Sequence, residues 1–202
     1  MDFKKHLETA WAMTLKYIVP LVISTLAMFA VSIVTLGILA PVTLAGYTQS
    51  LLLMMRTGRE PKVQDLFSQM RLFLPLLFFG IVVFIASVIG FILLVLPGFL
   101  VILGVLFSCF YMIPLMTDRG MGLMDAVKTS YAMAMSGSKQ DHAVAVLIFI
   151  AITAVGGSVA VGSLFTHPLA TLFFLSVYEE KSAEFEKQSS AAPWHPNSTI
   201  KS

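Results

Sequence analysis

The chain has 202 residues, of which 57% are hydrophobic and 12% charged, with a mean hydropathy of +0.88 and a formal net charge of +2. Soluble domains carry about 25% charged residues, so this composition lies outside soluble norms and places the chain among polytopic membrane proteins. The single cysteine, Cys109, has no internal disulfide partner and is expected to pack as a small hydrophobe.

Residues 1–16 place Phe3, Leu7, Trp11 and Leu15 four apart, with Lys4, Lys5 and Glu8 off that stripe. This spacing predicts a short helix lying in the lipid headgroup region. Lys4 and Lys5 before an apolar run imitate a signal peptide, but the run at 17–55 far exceeds the roughly 7–15 residues of such a segment, so the N-terminus is expected to be retained. That run is uncharged for 39 residues. A bilayer core of about 30 Å takes about 20 helical residues, so a run this long should cross twice. Gly37 and Pro41 mark the reversal, with arms of roughly 18–39 and 42–55.

The connector 56–71 contains Gly58 and Pro61, then Val63, Leu66, Phe67 and Met70 at helical spacing, which predicts a second amphipathic helix. Residues 72–117 carry no charge in 46 positions and should form a second hairpin. Pro97 and Gly98 supply its fold-back point, with arms 72–95 and 99–117. In the next connector Met124, Val127, Tyr131 and Ala134 or Met135 form a stripe that Gly137 ends, predicting a third interfacial helix. Residues 142–178 lack Asp, Glu, Lys and Arg over 37 positions and should form a third hairpin, with arms 143–155 and 159–178 around Gly156, Gly157 and Gly162. The tail 181–202 is expected to be largely disordered.

All 13 Lys and Arg lie in four segments, 1–16, 56–71, 118–141 and 179–202, divided 3, 4, 3 and 3. If each apolar run crossed once, the two sides would carry 6 and 7 basic residues and no orienting bias. If each crosses twice, all four segments share one face, which the positive-inside rule assigns to the cytoplasm. The expected architecture is therefore all-α, with six transmembrane helices at 17–180 arranged as three hairpins, each preceded by a short interfacial helix, and both termini cytoplasmic. A weak threefold repeat accompanies it, since AWAMTLKYIVPL at 10–21 resembles LFSQMRLFLPL at 66–76.

Zinc, P-loop and serine-nucleophile signatures are missing, so no catalytic residue, metal, cofactor or nucleic-acid partner is assigned. His167 is the sharpest chemical candidate, because an ionisable residue at bilayer depth is a functional hypothesis. The competing reading is a neutral ring bonded to a carbonyl freed by Pro168. Gln49 and Tyr47 could line a polar path, as could Ser130, or could serve as hydrogen-bonding glue between helices. Gly156, Gly157 and Gly162 fit either a broken helix or a turn with close packing. Lys4, Lys5, Lys16, Arg56, Arg59, Arg71, Arg119 and Lys128 are candidate contacts for anionic lipid heads, each worth about 1 kcal/mol near the surface.

Further residues occur in a suggestive order: Gly46 before the 56–60 connector, Asp65-Leu66-Phe67, and Leu96-Pro97-Gly98 opening the fourth helix. Asp125-Ala126 with Ser130 follow, then Gly162 with Pro168 before Tyr178. In this order and spacing the chain resembles the bacterial membrane domain attached to some glycerophosphoryl diester phosphodiesterases, and its stand-alone relatives. The resemblance implies a six-helix domain in a bacterial cytoplasmic membrane. It does not carry over hydrolysis, because the phosphodiesterase barrel and its acidic metal-binding residues have no counterpart here. A lipid-associated scaffold or accessory component is the leading expectation, with room for a protein partner or a second copy. A small-solute transporter or channel is the alternative, and an intramembrane enzyme the third.

Overall fold

The computed structural model describes residues 2–93, 95–136, 138–157 and 160–191, which are α-helical apart from two 3-10 segments and short turns. The helices are α1 (Phe3–Lys16), α2 (Ile18–Val34), α3 (Ala40–Thr57), α4 (Phe73–Leu93), α5 (Val95–Ser108), α6 (Met112–Asp118), α7 (Leu123–Met135), α8 (Lys139–Gly157) and α9 (Ala160–Ala191). Among the described residues three stretches, Val63–Ile92, Pro97–Asp118 and Lys139–Gly156, are long and apolar enough to cross a membrane. The pair α1 and α2, bent by 89°, makes a fourth if taken as one broken span.

The first reversal lies where Gly37 and Pro41 predict it. Leu36 and Gly37 adopt φ of 51° and 81°, the left-handed region that glycine enters without strain. Pro41 falls in the first turn of α3, where its missing N–H costs no helical bond.

The second reversal is displaced from its expected place. Pro97 and Gly98 lie inside the first turn of α5, which begins at Val95, and Leu94 is outside the described residues. A Cβ on Gly90 would stand 2.9 Å from the Gly98 Cα, and Phe91 meets Phe99 edge-on with ring centroids 5.4 Å apart. Eight residues of continuous helix would span about 12 Å, so α4 and α5 double back, with Gly90 and Gly98 permitting the approach.

In the third hairpin Gly156 and Gly157 end α8, but Gly162 belongs to α9 and not to the turn. Residues 158–159 are outside the described residues, as is Gly137, the expected stop of the third interfacial helix. Helix α8 starts before the expected 143, because Ser138 caps it by accepting from the Asp141 N–H at 3.3 Å. The helix α9 runs 32 residues with Pro168 inside it, so 181–191 is helical where a disordered tail was expected. Residues 192–202 lie outside the described residues.

Two of the three expected short helices form, α1 and α7, and each turns only part of its stripe outward: Phe3 and Val127 pack against the core and Ala134 is buried. On α1 it is His6, Ala10 and Thr14 that pack inward, against α9, while Leu7, Trp11 and Leu15 are exposed. On α7 the inner face is Ala126, Ser130, Met133 and Ala134, leaving Met124 and Tyr131 outside. The connector does not form the expected α-helix and makes two 3-10 segments, Val63–Phe67 and Met70–Leu72. The Asp65 carboxylate explains this, since it accepts from the Lys62 N–H at 3.1 Å, from the Ser50 hydroxyl at 2.6 Å and from Arg59. Pulled onto α3 in this way, the connector tightens into short 3-10 pieces. Gly46 makes room for it, because a Cβ there would collide with the Leu66 carbonyl.

An open cleft separates the α2–α3 turn from α4, with Leu36, Gly37 and Pro41 on one side and Leu77, Gly80 and Phe84 on the other, and α4 runs on to Leu93.

Candidate functional site

All three apolar runs leave from and return to one charged end of the bundle. For the first, the Tyr17 hydroxyl donates to the Gly58 carbonyl at 3.2 Å. For the second, Arg71 lies against Gly120. For the third, Lys181, only 3% exposed, donates to the Ser136 carbonyl at 2.7 Å.

Ion pairs then join the runs. Arg56 clasps Asp118 with two donors, at 2.5 and 3.0 Å, and reaches Glu179 through its Nε at 2.6 Å. The Tyr178 hydroxyl also donates to Asp118, at 3.3 Å. Arg119 bonds Ser182 and pairs with Glu186 at 2.6 Å. The α1 helix is drawn in by His6, whose Nδ1 is 2.7 Å from the Ser176 hydroxyl and whose Nε2 is 2.8 Å from Glu180. The bond to Asp118, reinforced by Glu179, holds the Arg56 guanidinium charged well above its ordinary range.

Among the candidate lipid-head contacts, Arg56, Arg59 and Arg119 are thus engaged with carboxylates. Lys5, Arg71 and Lys128 are exposed, Lys4 is exposed 3.8 Å from Glu8, and Lys16 lies over the Tyr17 ring.

A second polar cluster repairs a break between α5 and α6. Pro114 cannot donate to the Phe110 carbonyl and its ring clashes there, so the chain unwinds at 109–111. The Met112 N–H shifts to the Cys109 carbonyl, which leaves the Phe107 and Ser108 carbonyls and the Tyr111 N–H without helical partners. Ser130 of α7 takes two of these, accepting from the Tyr111 N–H at 3.1 Å and donating to the Ser108 carbonyl at 2.8 Å. His142 of α8 takes the third, its Nε2 2.9 Å from the Phe107 carbonyl. A carbonyl only accepts, so Nε2 carries the proton, and in the neutral ring Nδ1 accepts from the Tyr111 hydroxyl at 3.2 Å. Both side chains are fully buried. The sequence reading singled out Ser130 and missed His142; the available signal was Pro114, whose freed carbonyls need distant donors.

His167 does not do for Pro168 what His142 does for this break. Its Nε2 is buried and has no hydrogen-bond partner, while its ring lies 5.4 Å from that of Tyr47 and 5.8 Å from that of Phe29. Tyr47 is fully buried and shares a 2.9 Å hydrogen bond with Thr25. Gln49 is half-buried on α3, with its Oε1 enclosed and unpartnered.

His167 stands in the wall of a cavity of about 320 Å³ between the α4–α5 hairpin and helices α3, α6, α8 and α9. The rest of the wall is apolar or weakly polar, with Phe110, Phe149, Phe174 and Cys109 among it, and no charged residue lines it. Three threonines reach it, and each spends its hydroxyl proton on its own helix: Thr48 on Leu44, Thr153 on Phe149 and Thr171 on His167. Among the described residues no group of three or more His, Cys, Asp or Glu could hold a metal ion.

Comparison with protein-family models, with characterised proteins and with solved structures yields no match for this chain.

Proposed function

We propose that the protein is a non-catalytic component of a bacterial cytoplasmic membrane, a lipid-associated scaffold whose six helices enter and return to the cytoplasmic face as three hairpins. The observation that carries this reading is the charged end, where the four polar segments converge through Arg56, Asp118, Glu179, His6 and Lys181. That convergence is what two crossings per apolar run require, and the positive-inside rule then orients it. The bacterial assignment rests on the resemblance drawn from residue order.

The scaffold role draws support from α1 and α7, which lie beside the charged end and present Trp11, Leu15, Met124 and Tyr131 outward. Exposed apolar stripes next to basic residues suit a helix resting in a headgroup layer, with the exposed Lys5 and Lys128 near anionic heads. The absence of catalysis is inferred from how the buried polar groups are used. His142, Ser130, Tyr111 and Tyr47 each complete a bond that holds helices together. A solute path has less support, since the cavity beside His167 is walled by apolar groups.

The topology is tested in a Cys109→Ser background by single cysteines at Ile38, Phe99 and Ser68, probed in cells with an impermeant thiol reagent. Labelling at Ile38 and Phe99 but not Ser68 is expected. Protection of Ile38 alone would mean that the shorter α2–α3 hairpin dips in without crossing. The scaffold reading is tested by native mass spectrometry of the protein released gently from its membrane. Retained anionic lipid or a stoichiometric partner supports it, and a bare monomer with reconstituted solute flux would replace it with transport.

A further inference from the structure

Arg71 differs from the other arginines in what surrounds its charge. Arg56, Arg59 and Arg119 are each paired with a carboxylate, whereas the only side-chain bond of Arg71 among the described residues runs from its Nε to the Oε1 of buried Gln69, at 3.4 Å. Asp65, the nearest carboxylate along its own connector, is taken by Arg59, and Asp118, just before the facing turn at Gly120, is taken by Arg56. The bond to Gln69 holds the guanidinium by one corner. It leaves both terminal nitrogens, a planar pair of donors that matches two oxygens of a phosphate, without a protein acceptor among the described residues.

Arg71 also stands at the head of an apolar line. Met70, Leu74 and Phe78 follow four residues apart and are all exposed, on a stretch long and apolar enough to cross a membrane. Farther along α4 lies the open cleft, of about 350 Å³, with Leu77, Gly80 and Phe84 on one side and Leu36 and Pro41 on the other. Gly80 comes nine residues after Arg71. Nine helical residues cover about 14 Å, and half of a bilayer core of about 30 Å is about 15 Å, so a chain hanging from Arg71 reaches the cleft within one leaflet.

From this arrangement we infer that Arg71 and the outer face of α4 form a binding site for an anionic phospholipid of the leaflet at the charged end. The two terminal nitrogens of Arg71 grip the phosphate, and one acyl chain runs past Leu74 into the cleft at Gly80. The inference rests on the membrane placement proposed above, and adds to it one site and the lipid that fills it. A zwitterionic head would bring its own ammonium beside an arginine that already lacks a counter-charge, and an uncharged diacylglycerol would leave the guanidinium unpaired. A free phosphate ion would satisfy Arg71 but not the apolar line below it. The cleft has room for the chain, since nothing lies within 4 Å of where a Cβ on Gly80 would stand.

The test uses the full-length protein in phosphatidylcholine nanodiscs that carry a trace of phosphatidylglycerol with a diazirine midway along one acyl chain. Crosslinks are mapped by mass spectrometry. Labelling around Leu77, Gly80 and Phe84 is expected to saturate, and to be displaced by unlabelled phosphatidylglycerol far better than by phosphatidylethanolamine or diacylglycerol. Arg71→Gln should weaken the probe about fivefold, the worth of one basic residue near an anionic layer. Arg71→Lys keeps the charge without the planar fork and should restore only part of that loss. Lys128→Gln, on an exposed residue of α7, should leave this labelling unchanged.

Non-saturable labelling of the cleft, equal displacement by all three lipids, full restoration in Arg71→Lys, or an equal loss in Lys128→Gln would each overturn the inference. The first two comparisons need only the wild-type protein, so they stand even if a variant fails to fold. Failure of the membrane placement reads out separately, because it predicts that lipid probes of every class leave the exposed Ile85 and Leu103 unlabelled.

Discussion

Helix α3 carries Thr43, Tyr47, Thr48 and Ser50, all buried, and with Leu51 and Leu52 it runs through the centre of the bundle. The α4–α5 hairpin has no charged residue between Phe73 and Ser108, yet it leaves Leu74, Phe78, Phe84, Ile92 and Leu100 exposed. Only 17% of the apolar stretch in Val63–Ile92 is buried. In water that distribution would be inverted, because removing apolar surface from solvent drives folding. Exposed apolar helices around a semi-polar centre are stable where the surroundings are themselves apolar. The centre is then held by close packing and interhelical hydrogen bonds. The difference between the two regions therefore fits the apolar medium proposed above, and it can be attacked from either side.

The largest effect should come from Gly46 in α3. Any Cβ there meets the Leu66 carbonyl and stands 2.5 Å from that of Asp65, and backbone carbonyls cannot rotate away as a side chain would. Gly46→Ala is expected to lower stability in detergent by about 3 kcal/mol or more, measured by chemical denaturation. A change under 1 kcal/mol would mean the connector does not rest on α3.

Next come the side chains that close the α5–α6 break. Ser130→Ala strands the Tyr111 N–H and Ser108 carbonyl, and His142→Phe strands the Phe107 carbonyl. Each is expected to cost about 2–3 kcal/mol, and the two should not add, because both serve one unwound turn. Additive losses would show that they act on separate structures.

How far these features could be read from sequence depends on how local their causes are. Gly37 and Pro41 announce their reversal because positive φ and a missing N–H are properties of those residues alone. The stripes on α1 and α7 are equally legible as spacing. Their direction is not, because Leu7 and Trp11 face outward only if the medium around them is apolar. The connector reads as an α-helix until Ser50, 15 positions upstream of Asp65, captures its carboxylate. The two histidines show the limit most clearly. His167 adjoins a proline and looks like the ring that repairs a kink, yet its Nε2 has no partner. His142 repairs the break at Pro114 from another hairpin, 35 residues beyond the carbonyl it bonds. Only the fold brings that pair together.

The charged end should respond less than the core. Arg56 is 41% exposed, so its bonds to Asp118 and Glu179 fall between the roughly 0–1 kcal/mol of a surface pair and the about 3–5 kcal/mol lost on breaking a buried one. Arg56→Gln is expected to cost about 1–2 kcal/mol. High salt should shrink that difference by screening what remains exposed. Lys128→Gln, on an exposed residue of the same end, is the matched control and should leave stability unchanged.

The smallest effect is the most diagnostic because its sign is reversed. Gly80 lies within α4, and a Cβ added there would meet no other atom within 4 Å. Alanine is the better helix former by about 0.5–1 kcal/mol, so Gly80→Ala should stabilise by that amount, where Gly46→Ala destabilises. The same residue change thus moves stability in opposite directions on neighbouring helices, which no account based on composition would give, since α4 is the more apolar of the two. If Gly80→Ala destabilised the protein in bilayers but not as a detergent monomer, the open face of α4 would be a surface where a second copy packs. Thermal unfolding in both media, compared at matched protein-to-lipid ratios, separates that outcome from a purely lipid-facing helix.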